Sequence, residues 1–201
     1  MHPATLTALI AGAVVLGLSL LGARHPVIHP GEQRVFRAVN GLPNWLYVPL
    51  WVPMQLGNLV VGTLAGLALA LAWQDGRLAV AVVLAAALKL VAERAIRHWM
   101  TPYLGVRQRP GTSEPGATLR GSDVPASGMS FPSGHVVLVA AITAVIVDDL
   151  GLAWVGIPAL LTAAVMVGRV YVGAHNPLDV TAGLGAGLLA GALVALALGL
   201  G

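Results

Sequence analysis

Phe131-Pro132-Ser133-Gly134-His135-Val136-Val137-Leu138-Val139-Ala140-Ala141-Ile142-Thr143-Ala144-Val145-Ile146-Val147 joins a polar turn to a long apolar run. Proline suits the threshold of a helix. Pro132 therefore marks a start, and Ser133, Gly134 and His135 fall in the first turn. The residues that follow carry no charge and offer no polar face. A helix that is hydrophobic all round belongs in a large core or in a membrane. The rest of the chain decides for the membrane. Of 201 residues, 57% are apolar and only 9% are charged, whereas a soluble domain carries about 25% charged residues.

Five further runs approach the roughly 20 apolar residues a spanning helix needs. The expectation is an all-α integral membrane six-helix bundle in one domain, 1–201, with spans near 4–21, 55–73, 78–99, 133–147, 152–167 and 178–200. The first run has no basic segment before it, so it reads as a retained helix rather than a signal peptide. Between the first two spans, Glu32 to Asn40 mixes charged and apolar residues and reads as a short interfacial helix. Pro43, Pro49 and Pro53 are expected to break helix beyond it, and Trp45, Tyr47 and Trp51 suit the headgroup level as anchors. Asp148 and Asp149 mark a turn on the far side of the membrane. The last span is rich in glycine (Gly183, Gly185, Gly187, Gly191), which permits close helix packing.

Composition also excludes functions. The net charge is only +3 and there is no cysteine. No basic stripe with interleaved aromatics is present, so nucleic acid is not an expected partner. No disulfide or thiolate metal site can form. No His or carboxylate cluster has metal-ligand spacing, and neither metal nor cofactor is expected.

Three polar clusters remain: Arg107-Gln108-Arg109-Pro110; Pro132 to His135; and Arg169-x5-His175-x3-Asp179. With six spans, all three lie at one end of the bundle, on loops over 100–132 and 168–177. Arg109 and Arg169 offer planar donor forks matched to phosphate oxygens. A helix start at Ser133-Gly134 offers free N–H groups and a partial positive charge. Asp179 lies four residues from His175, a spacing that suits a carboxylate orienting an imidazole. An oriented imidazole is a nucleophile, and His135 can then protonate a leaving oxygen. His2, His25, His29 and His98 fit no cluster and read as interface residues. Glu114, Arg120 and Asp123 lie in the long loop without an assigned role.

This set closely resembles the type-2 phosphatidic acid phosphatase superfamily, whose fold is shared with vanadium haloperoxidases. Its motifs are Lys…Arg-Pro, Pro-Ser-Gly-His and Ser-Arg-x5-His-x3-Asp, and the resemblance covers the second to sixth spans. It implies that His175 attacks phosphorus, that Asp179 orients it, and that His135 serves as acid and then base. It also implies that Arg109, Arg169, Ser133 and the Gly134 N–H hold the phosphoryl oxygens. Two positions depart from the pattern. Gly168 stands where a serine is expected. The motif lysine would fall at Pro102, and the chain's one lysine is Lys89, an expected phosphate ligand if an insertion separates it from Arg109. Arg94, Arg97 and Arg107 are alternative substitutes. Lys89, Glu93 and Arg97 are also spaced for an i, i+4 ion-pair ladder.

The resemblance implies a metal-independent lipid phosphatase acting on a lipid phosphate partner in the bilayer. The substrate classes are phosphatidate, phosphatidylglycerol phosphate, or polyprenyl phosphate or diphosphate, and the setting is a bacterial plasma membrane. A phosphotransferase and a lipid-phosphate binding or flipping protein use the same cradle and stay open. So does the oligomeric state. The resemblance implies a catalytic face outside the cell, but every cation except Arg77 falls on the motif side. Setting aside Lys89, Arg109 and Arg169 leaves seven against one, and the positive-inside rule then favours the cytoplasmic face.

Overall fold

Glycine sets how the helices meet. A Cβ on Gly183 would lie 2.7 Å from the Ser133 carbonyl oxygen, one on Gly187 would collide with that of Val137, and one on Gly191 with that of Ala141. Both sets of residues step by four along a helix, so one face of each is involved. They rise together, so the two helices run parallel with their backbones in contact and their N-termini at the same end.

These are α7 (Gly134–Ile146) and α9 (Pro177–Leu198) in a computed structural model that describes residues 3–147, 150 and 153–200. The others are α1 (Pro3–Gly22), α2 (Pro30–Asn40), α3 (Tyr47–Met54), α4 (Leu59–Ala72), α5 (Gly76–Leu104), α6 (Pro110–Ser113) and α8 (Gly156–Tyr171). Among the described residues the only β feature is an isolated bridge between Gln108 and Met129. α1 runs antiparallel to α9: Gly12 meets Gly185 and Leu189, while Gly22 meets Leu178. α7 is sheathed on all sides, and every residue from Val136 to Ile146 except Thr143 is buried. α1 by contrast exposes Leu6, Ile10, Val14, Leu18 and Leu21, a surface only a bilayer can solvate. This is a membrane protein.

Among the described residues two helices, α1 and α9, are long and apolar enough to cross a bilayer alone. The segment Asn44–Gly57 together with α4 makes a third if that pair, bent by 76°, counts as one span. The bend corrects the continuous helix expected over 55–73. Asn58 stops the preceding turn, and its Oδ1 caps α4 by accepting from the N–H of Val60 and Val61, a familiar use of asparagine. α5 runs past Trp99 to Leu104 with Pro102 inside it. α8 ends at Tyr171 rather than 167, so Gly168 and Arg169 are helical. Pro49 and Pro53 do not break the chain: both lie within α3, Pro49 in its first turn, where a missing N–H costs nothing. The interfacial helix is α2, and His29 caps it through Nδ1. His2, Asp148, Asp149 and Leu152 lie outside the described residues.

Candidate active site

The N-terminus of α9 fixes the first part of the site. Asn176 is its N-cap and Asp179 its third residue, and the two exchange capping bonds. The Asn176 N–H donates to Asp179 Oδ2 at 2.8 Å, and that oxygen faces His175 Nδ1 at 3.8 Å. This is beyond hydrogen-bond length, but catalytic pairs often stand loose until substrate binds. His175 is 3% exposed. Burial pushes its imidazolium below the ordinary histidine range, and Asp179 opposes the shift. His175 is thus held neutral with a carboxylate at its back.

The N-terminus of α7 supplies the second part. The Ser133 N–H donates to the Asp179 carbonyl at 2.9 Å, tying the two helix starts together. Ser133 is the N-cap but makes no capping bond. Its Oγ is buried and finds no partner among the described residues, so a donor is left available beside Gly134. His135 follows one residue later. Gly57 lies against its ring: a Cβ there would sit 2.6 Å from the His135 Cβ. A polar pocket lined by Gln55, Asn58, Arg120, Asp123, His135 and Arg169 opens here.

Two arginines complete the constellation. Arg109 Nη1 donates to the Ala174 carbonyl at 2.9 Å, which holds it beside His175. Burial and the nearby Arg97 push its ionisation below the ordinary arginine range, against the pull of Asp179 and Glu93. Arg169 is 5% exposed, and its Nε has no partner among the described residues. The structure therefore gathers Arg109, Ser133, Gly134, His135, Arg169, His175 and Asp179 at one end of the bundle.

Lys89 stands differently. Its ammonium is 2.8 Å from Glu93 Oε2, and Arg97 Nη2 is 2.6 Å from Glu93 Oε1. The i, i+4 ladder is formed. It is the Glu93 carboxylate that rests against Gly134, since a Cβ there would meet it. Gly168 also has a local reason. A Cβ at 168 would lie 2.6 Å from Met54 Cγ, so α3 occupies the space a serine would need.

Arg120 donates to the carbonyls of Asn40, Leu42 and Tyr171 and to Asn44 Oδ1, and its guanidinium covers the Tyr171 ring. It clamps the long loop to α2 and α8. His98 stacks edge-on with Trp99. Glu32 and Asn58 reach the site without any sequence motif to announce them, and the spacing of Glu93 announced only an ion-pair ladder. For Glu32, an acidic residue at the start of an amphipathic helix is ordinary. Among the described residues no group of three His, Asp or Glu side chains converges as a metal site would.

Comparison with known proteins agrees with this architecture. The family model of the PAP2 superfamily matches residues 76–199, the stretch from α5 to α9 that carries all three motifs. No curated protein sequence matches significantly. Two crystal structures share the fold. LpxE from Aquifex aeolicus is 23% identical over 80% of this chain and 92% of its own, with a TM-score of 0.68. A transmembrane PAP2 type phosphatidylglycerolphosphate phosphatase from Bacillus subtilis is 19% identical over 96% of this chain and 94% of its own, with a TM-score of 0.64.

Proposed function

The chain belongs to the PAP2 superfamily, and on that premise we propose that it is a membrane lipid phosphatase working through a phosphohistidine without a metal. The observation that carries the reading is the convergence of a buried, neutral His175 backed by Asp179 with two arginines and an unpartnered helix start. In this reading the His175 Nε2 lone pair attacks phosphorus while Nδ1–H points to Asp179 Oδ2. The bond to the lipid oxygen breaks, and that oxygen takes a proton from His135. Neutral His135 then accepts a proton from water, whose oxygen attacks phosphorus and returns His175 free. Arg109, Arg169, Ser133 Oγ and the N–H groups at Gly134 face the charge that spreads over the phosphoryl oxygens. Lys89 joins them if substrate displaces Glu93.

A lipid substrate is supported by the shape of the bundle. α4 and α8 both lean on α7 and leave an apolar furrow between them. It is lined by Gly66, Leu69, Ile142, Ile146, Pro158 and Leu161. The furrow runs from Leu56, beside the catalytic end, to Trp73 and Trp154. This reading takes the bundle to cross six times, and in it α4 and α7 run parallel to α9 while α1, α5 and α8 run against them. The substrate classes are phosphatidate, phosphatidylglycerol phosphate, and polyprenyl phosphate or diphosphate. The Bacillus subtilis neighbour is named for the second of these.

The test is phosphate release by purified protein from a panel of these lipids in chelator, with His175→Ala alongside. The expected result is chelator-resistant release by the wild type that falls about 10³-fold or more in the variant, as for loss of a nucleophile. No release from any lipid by folded wild type refutes the hydrolase reading.

A further inference from the structure

Behind the His175–Asp179 pair lies a buried ion chain that the catalytic steps do not use. Arg107 is 1% exposed and Asp179 wholly buried. Arg107 Nε donates to Asp179 Oδ1 at 3.3 Å, and its Nη2 donates to Glu32 Oε1 at 2.6 Å. The same Glu32 oxygen accepts the Leu178 N–H at 2.9 Å. The two oxygens of Asp179 thus divide their partners, Oδ1 taking Arg107 while Oδ2 takes the Asn176 N–H and faces His175. α2, whose sequence gives no hint of a catalytic role, thereby places a carboxylate two groups behind the nucleophile.

The charges around this line matter as much as its geometry. His175 faces Asp179 from α9, Arg169 from α8, Arg109 from the long loop and His135 from α7. Arg107 and Ser130 stand on the other side of Asp179. With substrate absent, one anion therefore meets two cations at the ring, and Arg107 would add a third. Glu32 cancels that third charge. A buried arginine without such a partner would draw the Asp179 charge toward itself and away from the imidazole.

We propose that Glu32 and Arg107 are positioning residues for phosphoryl transfer. Arg107 turns the Asp179 carboxylate so that Oδ2 meets His175, and Glu32 neutralises Arg107 so that Asp179 keeps the charge a phosphorylated imidazole requires. This rests on His175 being the nucleophile.

The decisive variant is Glu32→Gln. It keeps the shape and the Oε1 acceptor for both Arg107 and the Leu178 N–H, and it removes only the charge. The His175 imidazole is followed by ¹⁵N NMR titration in detergent micelles, with His175→Gln to assign the signal, alongside the pH profile of kcat/KM. His175 must be neutral to attack, so the acid limb of the profile tracks its protonation. With one negative charge removed, the midpoint should fall by about one pH unit, as expected for a single charge at second-neighbour range in an effective dielectric of about 20. The acid limb should move down with it, and kcat should drop about 10-fold with KM little changed. The double variant Glu32→Gln/Arg107→Gln removes both charges, so its midpoint should return toward the wild-type value. A merely structural tether would make the double variant worse than the single. A folded Glu32→Gln with an unmoved midpoint overturns the proposal, whatever its kcat, and so does a double variant shifted further down. The titration does not depend on turnover. If the wild type releases no phosphate, the phosphatase reading fails, and the NMR midpoints still decide whether the chain of charges acts on His175.

Discussion

Gly187→Ala adds a single methyl group at the α7–α9 crossing, and the structure states what it would meet. Its Cβ would lie 2.6 Å from the Ala140 Cβ and 3.1 Å from the Ala141 nitrogen, and it would collide with the Val137 carbonyl oxygen. Ordinary contact begins at 3.4 Å, so the helices must part by close to an ångström. Two of the three obstacles are backbone atoms, which no rotamer change can move aside. Overpacking typically costs about 1–3 kcal/mol, and a backbone obstacle argues for the upper end. The same displacement levers Ser133 and His135 away from His175 and Asp179, because each pair sits at the start of one of the two helices. A shift of about 1 Å at reacting groups can cost about 10²-fold in rate. The assay is lipid phosphate release in mixed micelles, paired with the thermal unfolding midpoint in the same detergent. Gly17→Ala is the control. A Cβ at Gly17 meets nothing within 4 Å, so that variant should keep its activity and unfold at the same temperature or slightly higher. A Gly187→Ala protein with wild-type rate and stability would refute the backbone-to-backbone crossing and the coupling drawn from it.

Two further expectations address single groups. Gly57→Ala would press a methyl group onto the His135 ring, 2.9 Å from Cδ2. It should lower kcat about 10²-fold and lower stability too, since the His135 Cβ and carbonyl cannot move aside without shifting α7; an unchanged kcat would show that His135 has room to spare. Glu114 has a side chain 1% exposed with Arg37 at 4.0 Å, and burial raises its carboxyl above the usual range despite that arginine. The folded state therefore binds a proton more readily than the unfolded one, and wild-type stability falls as pH rises through that range. Glu114→Gln should be the more stable protein at neutral pH, and its advantage should fade on acidification; an advantage that grows toward acid pH contradicts the burial argument.

Much of this was legible in the sequence because it depends on short-range patterns. Pro132 announces the start of α7, and the spacing of four from His175 to Asp179 is plain in the sequence. The spacing of Gly183, Gly187 and Gly191 announces the crossing. What was not legible depends on contacts between distant segments. Glu32 looks like any acidic residue in the first turn of a surface helix, and only the folded chain brings it to Arg107, 75 residues away. The bend at Asn58 was invisible because Gln55 to Ala72 has the composition of one continuous span. Asparagine breaks it through a side-chain cap that competes with helix continuation. The cation asymmetry read as a sign of orientation also has a second origin. Arg107, Arg120 and Arg97 are engaged by carboxylates, carbonyls and an amide around the site, so part of the positive excess belongs to the chemistry and its scaffold.

The length of α7 ties these observations together. Its 13 residues extend about 20 Å, against a hydrocarbon core of about 30 Å, while the 29 residues of α5 extend about 43 Å. A helix end left in hydrocarbon would have no partner for its end groups, and α4 and α8, of 14 and 16 residues, are short as well. α7 is covered by neighbouring helices, and its start lies beside a polar hollow lined by Gln55, Asn58, Arg120, Asp123, His135 and Arg169. On the proposed reading the phosphate is drawn below the level reached by the longer helices, into a protein-walled space where water is scarce. There a given pair of charges attracts more strongly than in water, which sharpens the hold of the arginines on developing phosphoryl charge. The same scarcity makes any unpaired ion costly. A site sunk to this depth can keep Asp179 ionised only if further charges balance it, and this is why a catalytic pair written in four residues of α9 needs Arg107 from the long loop and Glu32 from α2 behind it.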